Sequence, residues 1–94
     1  MAADDRAEKT LLIQNELGLH ARAATKFVQT ASKFPCEVTV SKGANEVNGK
    51  SILSVLTLMA PKGTQVTLRA KGDRAAEAVA AIAALIDDKF GEGK

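Results

Sequence analysis

One histidine stands apart in a sequence otherwise poor in reactive side chains. His20 is the only histidine among 94 residues. It follows Gly18-Leu19 and directly precedes a helical pattern that begins at Ala21. A helix N-terminus presents unpaired backbone N–H groups and the positive end of the helix dipole, which together make an anion site. A neutral imidazole placed there can attack an electrophilic phosphorus, and the same N–H groups can then hold the phosphoryl product. Arg22, two residues on, can add a forked cation to the phosphoryl oxygens. Transfer of this kind demands mainly positioning and charge stabilisation. A His-x-Arg pair alone is a weak pattern, however, and a polar surface histidine is the plainer reading of it. Metal binding fits worse still: the chain has one histidine and one cysteine, and no clustered carboxylates accompany them.

A second segment imitates a phosphate-binding loop. Gly49-Lys50-Ser51 has the ending of a P-loop, but that motif needs a glycine five residues before Gly49, and Ala44 stands there. The domain is also far too small for a nucleotidase of that class. Ser51 instead reads as the N-cap of a short helix. A capping hydroxyl at a surface turn is also a site where a kinase could place phosphate. After it come Ile52, Leu53, Val55, Leu56, Leu58 and Met59, more apolar residues than a two-turn helix can hide. The excess is either loose packing at the edge of the core or a protein-docking patch.

The elements that position these residues follow from periodicity. Residues 1–9 read as a flexible polar tail, and residues 10–94 as a single domain. Thr10–Asn15 is a short strand. Ala24, Phe27, Val28 and Ala31 form one helical stripe, stopped by Pro35. Glu37–Ser41 alternates as a half-buried strand, and Gly43 and Asn45 turn the chain into another around Glu46–Val47. The second helix should pack Ile52, Val55, Leu56 and Met59 on one face. Gln65–Ala70 alternates again, with Asp73 as a candidate cap for a last helix over Arg74–Phe90. Its stripe is Ala75, Ala78, Val79, Ile82, Ile86 and Phe90. The order β-α-β-β-α-β-α, with strands apolar on one side only, predicts an α+β open-faced β-sandwich. Four antiparallel strands would carry three helices on one face.

Composition narrows the function classes. With 46% hydrophobic and 26% charged residues, the chain is an ordinary globular sequence. Three Phe, no Trp and no Tyr leave little for stacking on bases, and a net charge of +2 does not reach a basic nucleic-acid stripe. A mild positive bias suits a protein partner with an acidic patch. The single cysteine, Cys36, forms no intrachain disulfide and reads as a small packing residue. No stretch resembles a signal peptide or a membrane span, so a cytoplasmic protein without membrane insertion is expected.

The segment Gly18-Leu19-His20-Ala21-Arg22-Ala23-Ala24 resembles the active-site segment of the HPr family, the histidine-containing phosphocarriers of the bacterial phosphotransferase system. Asn48-Gly49-Lys50-Ser51-Ile52-Leu53 and the apolar helix after it resemble the family's regulatory-serine segment. The likeness runs from about Thr10 to Phe90. It implies an open-faced β-sandwich and a carrier, rather than an enzyme, that needs no cofactor. Such a carrier takes phosphate from enzyme I, itself charged by phosphoenolpyruvate. It passes the group to the A domains of enzyme II proteins in a sugar or nitrogen-related chain. On this resemblance His20 is the phosphorylated histidine, through Nδ1, and Arg22 supports the phosphoryl group. Ser51 is the serine modified in many bacteria by HPr kinase/phosphorylase, and Ile52, Leu53 and Leu56 belong to the docking surface. An alternative within the fold is a regulatory protein acting through phosphorylated Ser51 on a transcription factor or kinase. A monomer suits a carrier that must visit several partners. Two departures stand out. Many members have proline where Ala23 stands, a tolerable change in a first helical turn. Leu17 replaces a polar residue of some members and so removes a side-chain hydrogen bond from the phosphoryl site.

Overall fold

The structure, a computed structural model, describes residues 5–94. Strands β1 (Arg6–Leu12), β2 (Glu37–Lys42), β3 (Asn45–Asn48) and β4 (Gln65–Lys71) form one antiparallel sheet in the order β1-β4-β2-β3. Helices α1 (Ala21–Ala31), α2 (Ile52–Leu56) and α3 (Ala75–Asp87) complete the β-α-β-β-α-β-α order, and a 3-10 turn (Lys89–Gly91) follows. The architecture is the expected open-faced β-sandwich.

Strand alternation decides which face the helices cover. Val38 and Val40 of β2 and Val66, Leu68 and Ala70 of β4 are buried beneath the helices. They meet the α1 stripe of Ala24, Phe27 and Ala31, the α3 stripe from Ala75 to Ile86, and Phe90 beyond it. The opposite face is polar. There Arg69 donates to Glu8 at 3.3 Å and to Glu46 at 3.0 Å, and Thr10 and Thr67 pair at 3.0 Å. These contacts knit three strands on the solvent side without burying a charge.

Four local expectations need correction. The first strand begins at Arg6 and ends at Leu12, so Arg6–Lys9 belong to the sheet rather than to a tail; residues 1–4 of that tail lie outside the described residues. As an edge strand, β1 can keep charged side chains in water, which is why its first half looks like a tail in sequence. The second helix has only five residues, and Met59 beyond it takes a positive φ of 50°. That reversal turns Met59 outward, 75% exposed, and Leu58 fills the core instead. Asp73 does not cap α3. Arg74 holds the N-cap position in the left-handed region (φ 65°) without a side-chain cap bond, and its guanidinium lies 4.9 Å from the centre of the Phe34 ring. Finally, α3 ends at Asp87, and Phe90 reaches the core from the 3-10 turn at φ 55°.

The structure also accounts for Gly49-Lys50. A Cβ on Gly49 would lie 2.8 Å from Val38 Cγ1, so glycine here serves close packing. Lys50 Nζ donates to the Phe34 carbonyl at 2.6 Å and is engaged in the fold rather than free for a phosphate.

Candidate active site

The site is built on the turn between β1 and α1. Asn15, wholly buried, donates from Nδ2 to the Gly18 carbonyl at 2.7 Å, and the Gly18 N–H returns to the Asn15 carbonyl at 3.1 Å. Gly18 adopts φ +71°, a conformation that favours glycine. Leu19 is buried, and its N–H donates to the Ala60 carbonyl at 2.9 Å. This anchored turn delivers His20 to the start of α1.

His20 is the N-cap of that helix, with extended backbone (φ −80°, ψ −178°). Its ring performs the work usually done by a serine or aspartate oxygen: Nδ1 accepts the Arg22 backbone N–H at 3.2 Å. An Nδ1 that accepts a hydrogen bond carries no proton. The proton of the neutral ring therefore sits on Nε2, which faces the carboxylate of Glu92 and donates to it. The nitrogen with the free lone pair is the one held against the helix N-terminus.

Glu92 is fixed in turn. Its other oxygen accepts from Asn15 Nδ2 at 3.0 Å, and its side chain is only 12% exposed against 27% for His20. Burial pushes the Glu92 carboxyl up. The Asn15 hydrogen bond, the His20 contact and the nearby charges of His20 and Lys26 together outweigh this and hold it below its ordinary value. The segment carrying Glu92 is tied down by the Glu16 N–H donating to the Lys94 carbonyl at 2.9 Å and by Lys26 Nζ donating to the Phe90 carbonyl at 2.6 Å.

Around the ring the surface is open. Glu16, Leu17, His20, Ala21, Arg22, Glu92 and Lys94 line one shallow depression, and Leu17, Leu19, Met59, Ala60 and Pro61 line another against the same imidazole. Arg22 is exposed, and its guanidinium has no ion-pair partner among the described residues. The Arg22 and Lys94 cations, the Arg22 backbone N–H and the His20 imidazole thus meet on an open surface.

The whole-chain comparisons agree on one family. Residues 7–88 match the family model described as the PTS HPr component phosphorylation site. The chain belongs to the HPr family of phosphocarriers. The HPr of Neisseria meningitidis serogroup A is 49% identical over 87 residues, which cover 93% of this chain and 98% of that one. Among solved structures, an HPr from Thermoanaerobacter tengcongensis superposes with a TM-score of 0.89 at 48% identity, covering 92% of this chain and 97% of the other. A second crystal structure from that organism, of an HPr dimer, superposes at 0.75 with 48% identity, covering 92% and 99%.

Within this HPr-family site the sequence-derived residues do not all lie together. His20 and Arg22 line the same depression. Ser51 lies elsewhere, at the N-cap of α2, where its Oγ accepts the Ser54 N–H at 3.3 Å. Ile52 and Leu53 are exposed, at 39% and 77%, whereas Leu56 is half-buried and packs against the core. Leu17, 70% exposed, and Met59 place apolar surface beside His20. Sequence reasoning missed two contributors: Glu92, which contacts the imidazole, and Asn15, which holds Glu92. A buried asparagine beside the Gly18 turn left no periodic signal. Glu92 is 72 residues from His20 and comes near it only through the tertiary fold.

Proposed function

We propose that this chain accepts a phosphoryl group on Nδ1 of His20 from phosphorylated enzyme I and passes it to enzyme II A domains. The observation that carries the reading is the His20–Arg22 cap. It keeps the Nδ1 lone pair unprotonated and aims it at the helix N-terminus. When phosphorus bonds to Nδ1, the Arg22 N–H is released to the phosphoryl oxygens, and the Arg22 guanidinium stands close by to share their charge. No catalytic turnover is required of the protein itself: it is a carrier whose phosphorylated form is the product of one transfer and the reactant of the next.

The apolar surface made by Leu17 and Met59 beside the ring, and by Ile52 and Leu53 on α2, is the docking face for those partners. Ser51 is the regulatory site. A phosphate there adds close to two negative charges next to Ile52 and Leu53, and it opposes docking by repulsion and desolvation. The protein works as a monomer in the cytoplasm; no helix among the described residues is long and apolar enough to cross a membrane. A purely regulatory role through Ser51 is less well supported, because it gives no use to a histidine held by Arg22 and Glu92. Incubation with phosphoenolpyruvate and enzyme I is the test. The reading predicts an acid-labile, base-stable adduct that is lost in His20→Ala.

A further inference from the structure

We infer that Glu92, clamped by Asn15, is a positioning and charge-balancing residue for the phosphorylated histidine. The inference rests on the reading of His20 as the phosphoryl acceptor.

As the Nδ1 lone pair forms the N–P bond, the bond from phosphorus to the donor breaks, and its electron pair leaves with the donor. Nε2 keeps its proton throughout. The ring therefore becomes an imidazolium, with its positive charge spread over both nitrogens, until the phosphoryl group leaves or a base removes the Nε2 proton. The Glu92 carboxylate faces that nitrogen. A negative charge against Nε2–H stabilises the cationic ring, as the aspartate of a serine-protease triad stabilises its imidazolium. The cationic ring is also the better leaving group for the onward transfer.

The geometry separates the two negative charges. Glu92 contacts Nε2, while the phosphoryl group joins Nδ1 on the other side of the ring. Asn15 makes the arrangement directional. Its amide nitrogen bonds both the Gly18 carbonyl and Glu92 Oε1, which leaves Oε2 for the imidazole. Asn15 is wholly buried, and both bonds of its amide nitrogen are made within the site. The charged groups facing Glu92 are His20 and Lys26 from the α1 side, with Arg22, Glu16 and Lys94 around the same depression. Lys26 is bonded to the Phe90 carbonyl, so it tempers the carboxylate without competing for Oε2.

Glu92→Gln keeps an oxygen acceptor for Nε2–H and removes only the charge; Glu92→Ala removes both. Each variant and the wild type are charged by enzyme I with phosphoenolpyruvate, and hydrolysis of the isolated phosphoprotein is followed against pH. Protonation of the phosphohistidine ring speeds hydrolysis, so the profile reports how well the cation is stabilised. The inference expects the Glu92→Gln profile to move about one pH unit lower. It also expects phosphoryl acceptance to slow roughly tenfold. Glu92→Ala should show the same shift, with circular dichroism unchanged. A normal adduct on wild type with an unmoved Gln profile overturns the role of Glu92 alone. No adduct on wild type overturns the acceptor reading, and this inference with it.

Discussion

Gly18 lies directly against the carbonyl of Ala60: a Cβ on Gly18 would sit 2.6 Å from that oxygen and 2.7 Å from Pro61 Cα. The turn that presents His20 is therefore moulded to the loop after α2, and φ +71° adds a second barrier to any side chain. Gly18→Ala is expected to cost about 1–3 kcal/mol of stability. It should also slow phosphoryl acceptance by displacing the helix start. Urea unfolding alongside a transfer assay checks both, and a variant with wild-type stability would contradict the close fit.

Arg22 offers a test of charge stabilisation that leaves the fold alone, since the side chain is exposed. Arg22→Ala should slow phosphoryl transfer by roughly tenfold or more, less than the hundredfold seen when a buried donor is lost. Lysine should restore part of the rate, because it supplies the charge without the planar fork. Stopped-flow transfer from enzyme I measures it. An alanine variant at wild-type rate would remove Arg22 from the mechanism.

At Ser51 two substitutions separate capping from regulation. Ser51→Ala deprives the Ser54 N–H of its acceptor and should destabilise the protein by about 1 kcal/mol. Ser51→Asp keeps an N-cap acceptor, so stability should hold while enzyme I docks more weakly. Denaturation midpoints and the KM for enzyme I give the two readings. Equal docking by the Asp variant would count against regulation by charge.

The apolar residues of the second helix should divide by exposure. Leu53→Ser removes a side chain that is 77% exposed, and it should change stability by no more than about 0.5 kcal/mol while weakening enzyme I binding. Leu58→Ala opens a cavity at a 1% exposed position and should cost about 2–5 kcal/mol. Calorimetry of unfolding and of binding distinguishes them; unaltered enzyme I affinity in Leu53→Ser would take Leu53 off the docking face.

Glu92 also links stability to acid. Its folded-state pKa lies below the ordinary 4.5, so its contacts add stability above the unfolded-chain pKa and lose it as pH falls through the folded value. The stability difference between wild type and Glu92→Gln should therefore be largest near neutrality and shrink below about pH 4.5. Urea titrations at pH 7 and in that acidic range follow it. A difference independent of pH would mean that the carboxylate is not held by its partners.

The resemblance through His20, Arg22 and Ser51 already named the family, and periodicity alone supplied most of the fold. Long amphipathic stripes such as Ala24–Phe27–Ala31 and Ala75–Ile82–Ile86 have only one way to bury themselves, so they were legible. The errors fell where a single backbone torsion overrides pattern. Met59 and Arg74 both take positive φ, which no apolar period reports, and one turns a core candidate outward while the other displaces the expected cap at Asp73. The charged start of β1 was hidden for a different reason: an edge strand need not look apolar. At the site, His20 and Arg22 are local in sequence and could be read. Glu92 reaches the same ring from 72 residues away, held there by Asn15 of the preceding loop, a pairing made only by packing.

The most direct measurement locates the phosphoryl group. The protein is treated with enzyme I and phosphoenolpyruvate, and the adduct is assigned by phosphorus–nitrogen correlated NMR on nitrogen-15-labelled material. The account predicts one phosphoryl group, bonded to Nδ1 of His20. A group on Nε2, on another residue, or on none would contradict it.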